Sequence, residues 1–146
     1  MSLELETHAT LNSLNLRKEG PDSNKVLAVD MKLDMQVDPG ILACFNPTLR
    51  DFLFNGAGNP RFPNMEPVTW KGEMLNMELR IDRSLKFRDV TLKKFSLQPM
   101  LDKNGDQCIA LAFQASFKPA GTEAAALSEC LQESIQLEIE PQPSLI

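Results

Sequence analysis

No tyrosine occurs in this chain, and it carries a single histidine, His8, and a single tryptophan, Trp70. Those shortages exclude much. A lone histidine leaves no Cys/His set at the close spacing that zinc ligation needs. It also leaves no partner base for a serine or cysteine nucleophile, and His8 itself reads as a surface residue. One tryptophan without tyrosine argues against an aromatic-lined carbohydrate cleft. The cysteines Cys44, Cys108 and Cys130 are odd in number, widely spaced and set among apolar neighbours. They read as small buried hydrophobes of a reducing compartment.

No apolar run approaches the roughly 18 residues of a membrane span. The start, MSLELETHAT, has neither the basic region nor the apolar core of a secretory signal, so none is expected. The G-x-S-x-G, Walker A and Rossmann glycine patterns are missing as well. Asn55-Gly-Ala-Gly-Asn59 lacks the preceding strand and the helix entry of a phosphate cradle. Asp102-Lys-Asn-Gly-Asp106 has its glycine in the wrong place for an EF-hand and reads as a turn. No carboxylate pair is singled out for glycosidase chemistry. The expectation is a protein without catalytic residues, metal or cofactor.

What is present fits one domain. The chain has 146 residues and 16.3 kDa, 42% hydrophobic and 24% charged, with a net charge of −5. That charge is unevenly placed. After Lys118 come five acids (Glu123, Glu129, Glu133, Glu138, Glu140) and no lysine or arginine. Arg80, Arg83, Lys86, Arg88, Lys93 and Lys94 form a basic run, broken by Asp82 and Asp89. Such runs read first as solvated surface and second as two binding faces of opposite sign.

Period-two alternation dominates the chain. Leu27, Val29, Met31, Leu33, Met35 and Val37 alternate with polar or small residues over 25–37, the pattern of an antiparallel strand with one wet face. Before it, Leu3, Leu5, Thr7, Ala9 and Leu11 share one parity and Leu14 and Leu16 the other, so a β-bulge is expected at Asn12–Ser13. Glu19–Asn24 supplies the turn between these two strands. Asp38-Pro39 and Asn46-Pro47 predict short helices over 39–45 and 47–54, with Asn55-Gly56 as the closing cap. Residues 55–67 are a long Gly/Pro loop, a place where function often sits. Then Val68, Trp70 and Gly72 share one face and Leu75, Met77, Leu79 and Ile81 the other, with a bulge expected near Glu73–Met74.

The second half repeats the first. Val90-Thr-Leu-Lys-Lys-Phe-Ser-Leu97 aligns with Ala9–Leu16, and Cys108–Phe113 with Val26–Met31, with one residue added in the Asn104-Gly105 turn. A helix capped by Thr122 over 123–131 and a strand over 135–140 complete the parallel. The expected fold is mainly β (α+β): an antiparallel sheet or β-sandwich of two pseudo-repeated β-β-α-β halves with short helices. Residues 1–146 form one domain, with halves at about 1–82 and 88–140 and a tail at 141–146. The second hairpin carries small residues (Ala112, Gln114, Ser116) where the first carries Asp30, Lys32 and Asp34, so it is expected either to be central in a sheet or to have its small face covered by a helix or a second protomer.

The stretch from Ala9 to Asn55, with its two hairpin strands and the Asp38-Pro39 and Asn46-Pro47 starts, resembles small, mostly uncharacterised accessory proteins of tailed bacteriophages and prophages. The resemblance covers about the first third and carries no catalytic motif. It implies a bacterial cytoplasm and a role during phage growth. Three functions remain. The first is a non-catalytic binding protein that engages a host or phage protein, for instance as an inhibitor of a host defence system, with homo-oligomers among its options. The second is an accessory to phage replication or recombination that binds single-stranded nucleic acid through Arg80, Arg83, Lys86, Phe87 and Arg88. There Phe87 is a stacking platform, although inward packing is the favoured reading. The third sequesters a small ligand at the 55–67 loop through Asn55 and Arg61, with Trp70 close by. Overall acidity counts against the second.

Overall fold

The computed structural model describes residues 3–21, 25–62 and 64–143, so the tip of the first predicted turn, Asp22–Asn24, lies outside the described residues. Seven strands form: β1 (Leu5–Glu19), β2 (Val26–Val37), β3 (Val68–Trp70), β4 (Met74–Ile81), β5 (Leu85–Leu101), β6 (Gln107–Phe117) and β7 (Ser134–Pro141). A 3-10 helix (Pro39–Cys44) and α1 (Leu49–Leu53) follow β2, and α2 (Gly121–Glu129) follows β6. Every pairing is antiparallel. The sheet runs β5-β4-β7-β1-β2-β6, and β6 pairs back onto β5, closing a six-stranded barrel. Closure leaves no edge to protect along those ladders. The short β3 lies beside β5 past the end of β4.

Alternation fills the barrel. Val29, Met31, Leu33, Met35 and Val37 of β2 point inward and are buried, as are Val90, Leu92, Phe95 and Leu97 of β5 and Ile135, Leu137 and Ile139 of β7. They belong to one contiguous apolar cluster. At one flank Phe95 meets Phe45, Trp70 and Phe113 with ring centroids 5.1, 5.2 and 5.6 Å away. No helix among the described residues is long and apolar enough to cross a membrane.

The predicted repeat reappears as register. In the first hairpin Leu11 pairs with Leu33, Asn15 with Asp30, Leu16 with Val29 and Glu19 with Val26. In the second, Leu92 pairs with Ala115, Ser96 with Ala112, Leu97 with Leu111 and Met100 with Cys108. These are the same pairs moved by 81 positions in the first strand and 82 in the second. Each hairpin carries one extra residue near the same place, between Leu11 and Ser13 and between Lys93 and Ser96. Exchanging β1 with β5, β2 with β6 and β4 with β7 interchanges β1–β2 with β5–β6 and β1–β7 with β4–β5 and maps β2–β6 and β4–β7 onto themselves, so the barrel has a pseudo-twofold axis.

Several local expectations need correction. The first short helix is a 3-10 helix over Pro39–Cys44. Asp38 does cap the turn, its carboxylate accepting from the Gly40 N–H at 2.7 Å, but the segment is short and Pro47 cannot carry a helical ladder onward. Asn46 accepts from Thr48 N–H at 2.9 Å, and α1 starts only at Leu49. Thr122 lies inside α2, whose Ala120 N–H donates to Glu123 at 2.8 Å instead. The first strand of the second hairpin, β5, begins at Leu85. In β4 the irregularity falls between Met74 and Met77, where Asn76 takes φ 57°, a left-handed value that asparagine tolerates. Met74 is therefore buried, and Leu75, expected inward, is 60% exposed. Leu16 is also exposed, at 47%, although it pairs with the buried Val29.

Candidate functional site

In the Gly/Pro loop, Asn55 and Arg61 serve the loop itself. The Asn55 side-chain oxygen accepts from the N–H groups of Ala57 and Asn59 at 2.9 and 3.0 Å, an Asx-type turn. The Arg61 guanidinium donates to the carbonyls of Asp51 and Phe54 at 3.1 and 3.2 Å, groups that a helix end leaves without intrahelical partners. Trp70 is a wedge. Its ring stands edge-on to Phe45 and Phe95, both 5.2 Å away, and Gly72 lies so close that a Cβ there would sit 2.5 Å from the indole.

The basic run and the acidic segment meet. Pairing of β4 with β7 places Glu78 opposite Glu140 and Arg80 opposite Glu138. The Arg80 guanidinium donates to Glu78 at 2.8 Å, Glu140 at 3.0 Å and Glu138 at 3.2 Å. Lys86 reaches Glu78 at 3.3 Å and Arg88 at 3.8 Å. Glu78 is 2% exposed, which is unusual for a carboxylate unless it is paired. Burial pushes its carboxyl up, but hydrogen bonds with Lys86 and Glu140 and the charges of Lys86 and Arg80 outweigh this and hold it below its ordinary value. Phe87 turns inward onto Phe117 at 4.4 Å, and Arg83 stands exposed in the β4–β5 turn at φ 62°. Sequence reasoning missed Glu78. It lies at an outward position between Met77 and Leu79, and the basic residues that follow it, Arg80, Arg83, Lys86 and Arg88, were the only signal for it.

The outer wall carries two grooves related by the pseudo-twofold axis. One crosses β1, β2, β6 and β5, encloses about 960 Å³, and is lined among others by Thr10, Asp34, Ser96, Gln98, Ala110 and Ala112. The other encloses about 550 Å³ and is lined by Thr91, Ser116, Arg17 and Ala28, the counterparts of Thr10, Asp34, Gln98 and Ala110. The smaller groove is bridged from within. Arg17 donates from Nε to Asp30 at 2.8 Å and from Nη2 at 3.2 Å, while the Ser116 hydroxyl donates to the same carboxylate at 2.6 Å. Arg17 also pairs with Glu19, and Lys118 approaches Glu19 at 3.9 Å. The hydrogen bond from Arg17, with those of Ser116 and the nearby charges, outweighs desolvation and lowers the Asp30 carboxyl to about 2. In the larger groove the counterparts of Arg17 and Asp30 are Gln98 and Ala112. No charge pair spans it among the described residues.

Comparison with known proteins finds no matching family model, curated protein or solved structure. Among the described residues no group of three or more His, Cys, Asp or Glu side chains is arranged to hold a metal ion.

Proposed function

We propose that this chain is a non-catalytic binding protein that engages another protein along the open groove of its barrel wall. The observation behind this reading is the contrast between the two grooves: the smaller is bridged by the chain's own Arg17–Asp30 pair, and the larger is floored by half-buried Ala110, Ala112 and Ser96 with no such bridge among the described residues. The barrel interior is packed with apolar side chains, which leaves recognition to the outside. The resemblance of residues 9–55 points to a phage-infected bacterial cytoplasm. There the partner is a host or phage protein, an inhibited defence component among the choices.

The other two readings lose their supporting groups. Arg80, Lys86 and Arg88 are engaged with Glu78, Glu138 and Glu140 rather than held out for a phosphate backbone. Asn55 and Arg61 are spent on the loop. A photo-crosslinking residue at Ser96, on the groove, and at Ser84, on an exposed turn, tests the proposal in infected cells. The expected result is one discrete adduct from position 96, absent from position 84 and abolished by Ala110→Phe, which fills the groove. Equal labelling from both positions, or none from position 96, overturns it.

A further inference from the structure

The filled groove shows what its geometry accepts. Arg17 lays its side chain across the wall beside Ala28 and grips Asp30 with two donors of its planar fork, and the Ser116 hydroxyl completes the carboxylate. In the open groove each member of that set is exchanged. Gln98 replaces Arg17, Ala112 replaces Asp30, and Asp34 stands where Ser116 stands. The ladder makes the exchange exact in position: Asp30 pairs with Ser116, and Asp34 pairs with Ala112. A carboxylate is thus kept on β2 in both grooves, while the space beside it is emptied of its cation. The Asp34 carboxylate has no hydrogen-bond or ion-pair partner among the described residues, in contrast to Asp30.

We infer that the open groove takes an arginine side chain from the partner protein, its stem over Ala110 and Ala112 and its guanidinium on Asp34. This rests on the reading of the chain as a protein-binding barrel and names what that groove selects. Small floor residues let a flat guanidinium approach, and a fork of fixed geometry matches a carboxylate better than a lysine ammonium does. Lys103, in the exposed turn between β5 and β6, also lines the groove. It favours a carboxylate next to that arginine and disfavours a run of cations.

The test uses the whole protein, ¹⁵N-labelled, and the peptide acetyl-Gly-Arg-Glu-Gly-amide, compared with the same peptide carrying citrulline for arginine. The expected result is saturable amide shifts at Thr10, Asp34, Ser96 and Ala112. Citrulline should weaken binding about tenfold, as should Asp34→Asn, the size of losing one charge-assisted pair. The double variant Gln98→Arg/Ala112→Asp rebuilds the filled groove's own pair and should end binding while its spectrum stays folded. Equal shifts from the arginine and citrulline peptides, no effect of Asp34→Asn, or shifts centred on Glu138 and Glu140 instead overturn the inference. If the crosslink at position 96 forms but the peptide fails, the arginine assignment falls and the binding reading stands. If the peptide binds and no groove adduct forms, the peptide site stands and the protein-binding reading falls.

Discussion

Lys32 faces Gln114 across the β2–β6 ladder, and each is the other's counterpart in the two halves of the chain. The pseudo-twofold axis therefore passes between them. On the opposite wall it passes between Arg80 and Glu138, flanked by the reciprocal pairs Leu79–Ile139 and Ile81–Leu137. A residue on such an axis must meet its own equivalent. Two identical charges there would repel, and like charges directly opposite destabilise a ladder. In this barrel both axial positions hold unlike partners, a lysine with an amide and an arginine with a carboxylate. Divergence between the halves is thus needed where they touch as well as in the grooves, where Arg17 and Asp30 face Gln98 and Ala112 as counterparts.

Arg80 is the hinge of the charge cluster. Arg80→Ala leaves Glu78, Glu138 and Glu140 side by side with only Lys86 and Arg88 on Glu78. Because Arg80 is 38% exposed, solvent screening moderates the loss, which is read as a lower urea midpoint at neutral pH. Glu78→Gln should cost less, since an amide oxygen still accepts and one of three clustered negative charges is removed. Identical midpoints for Arg80→Ala and wild type would remove the cluster from the stability account.

Gly72→Ala is a steric prediction with a built-in reporter. The added methyl carbon lies 2.5 Å from two indole carbons and 2.9 Å from a third, too close without movement of Trp70. Overpacking of this kind costs roughly 1–3 kcal/mol. Trp70 is the only tryptophan, so its emission reports the displacement directly. The expected outcome is a red-shifted, more exposed emission together with a lower melting temperature. An unchanged spectrum means the indole does not rest on Gly72.

Both hairpins, their bulges and their matching register were legible from residues alone, because parity along a strand is a local signal. Leu11, Leu14, Leu92 and Phe95 switch face within a few residues of each other. Closure was not legible. It depends on β6 finding both β2 and β5, and on β4 finding β7, and alternation says which face a strand buries but never which strand lies beside it. The same gap hid the charge cluster. Arg80 and Glu138 are 58 residues apart, and only the β4–β7 register turns a basic run and an acidic segment into one neutralised patch. The open groove was half legible: the small outer face at Ala110 and Ala112 was visible in sequence, whereas its contrast with the bridged counterpart requires the pairing.

Thiol reactivity follows from burial. The Cys44 thiol is pushed up to about 11 by desolvation, and burial raises Cys108 and Cys130 as well. Since the thiolate is the nucleophile, alkylation by iodoacetamide should be slow at pH 8 for all three in the folded protein. The Cys44 rate should go on climbing past pH 9, the ordinary value, toward 11. Peptide mapping after timed quenching checks this. A Cys44 rate that levels off below pH 9 contradicts the burial argument.

Asp30 makes stability depend on acid. Its carboxyl ionises near 2 in the folded protein, chiefly because Arg17 donates to it, against an ordinary 3.8 in the unfolded chain. The unfolded state therefore takes up a proton first as pH falls. The stabilisation is fully present above about pH 4 and is lost progressively as pH drops through 3.8 toward 2. Asp30→Asn removes this linkage together with the fork from Arg17. The gap in urea midpoint between wild type and Asp30→Asn should be constant from pH 5 to 7 and shrink below pH 4, with the variant's curve flatter in that window. High salt should narrow the gap only partly, because Asp30 is 18% exposed and its partner lies across a part-buried groove. A gap that stays constant from pH 5 down to 2 would mean that the Arg17–Asp30 pair does not hold the filled groove shut. The contrast between the two grooves would then lose its physical basis.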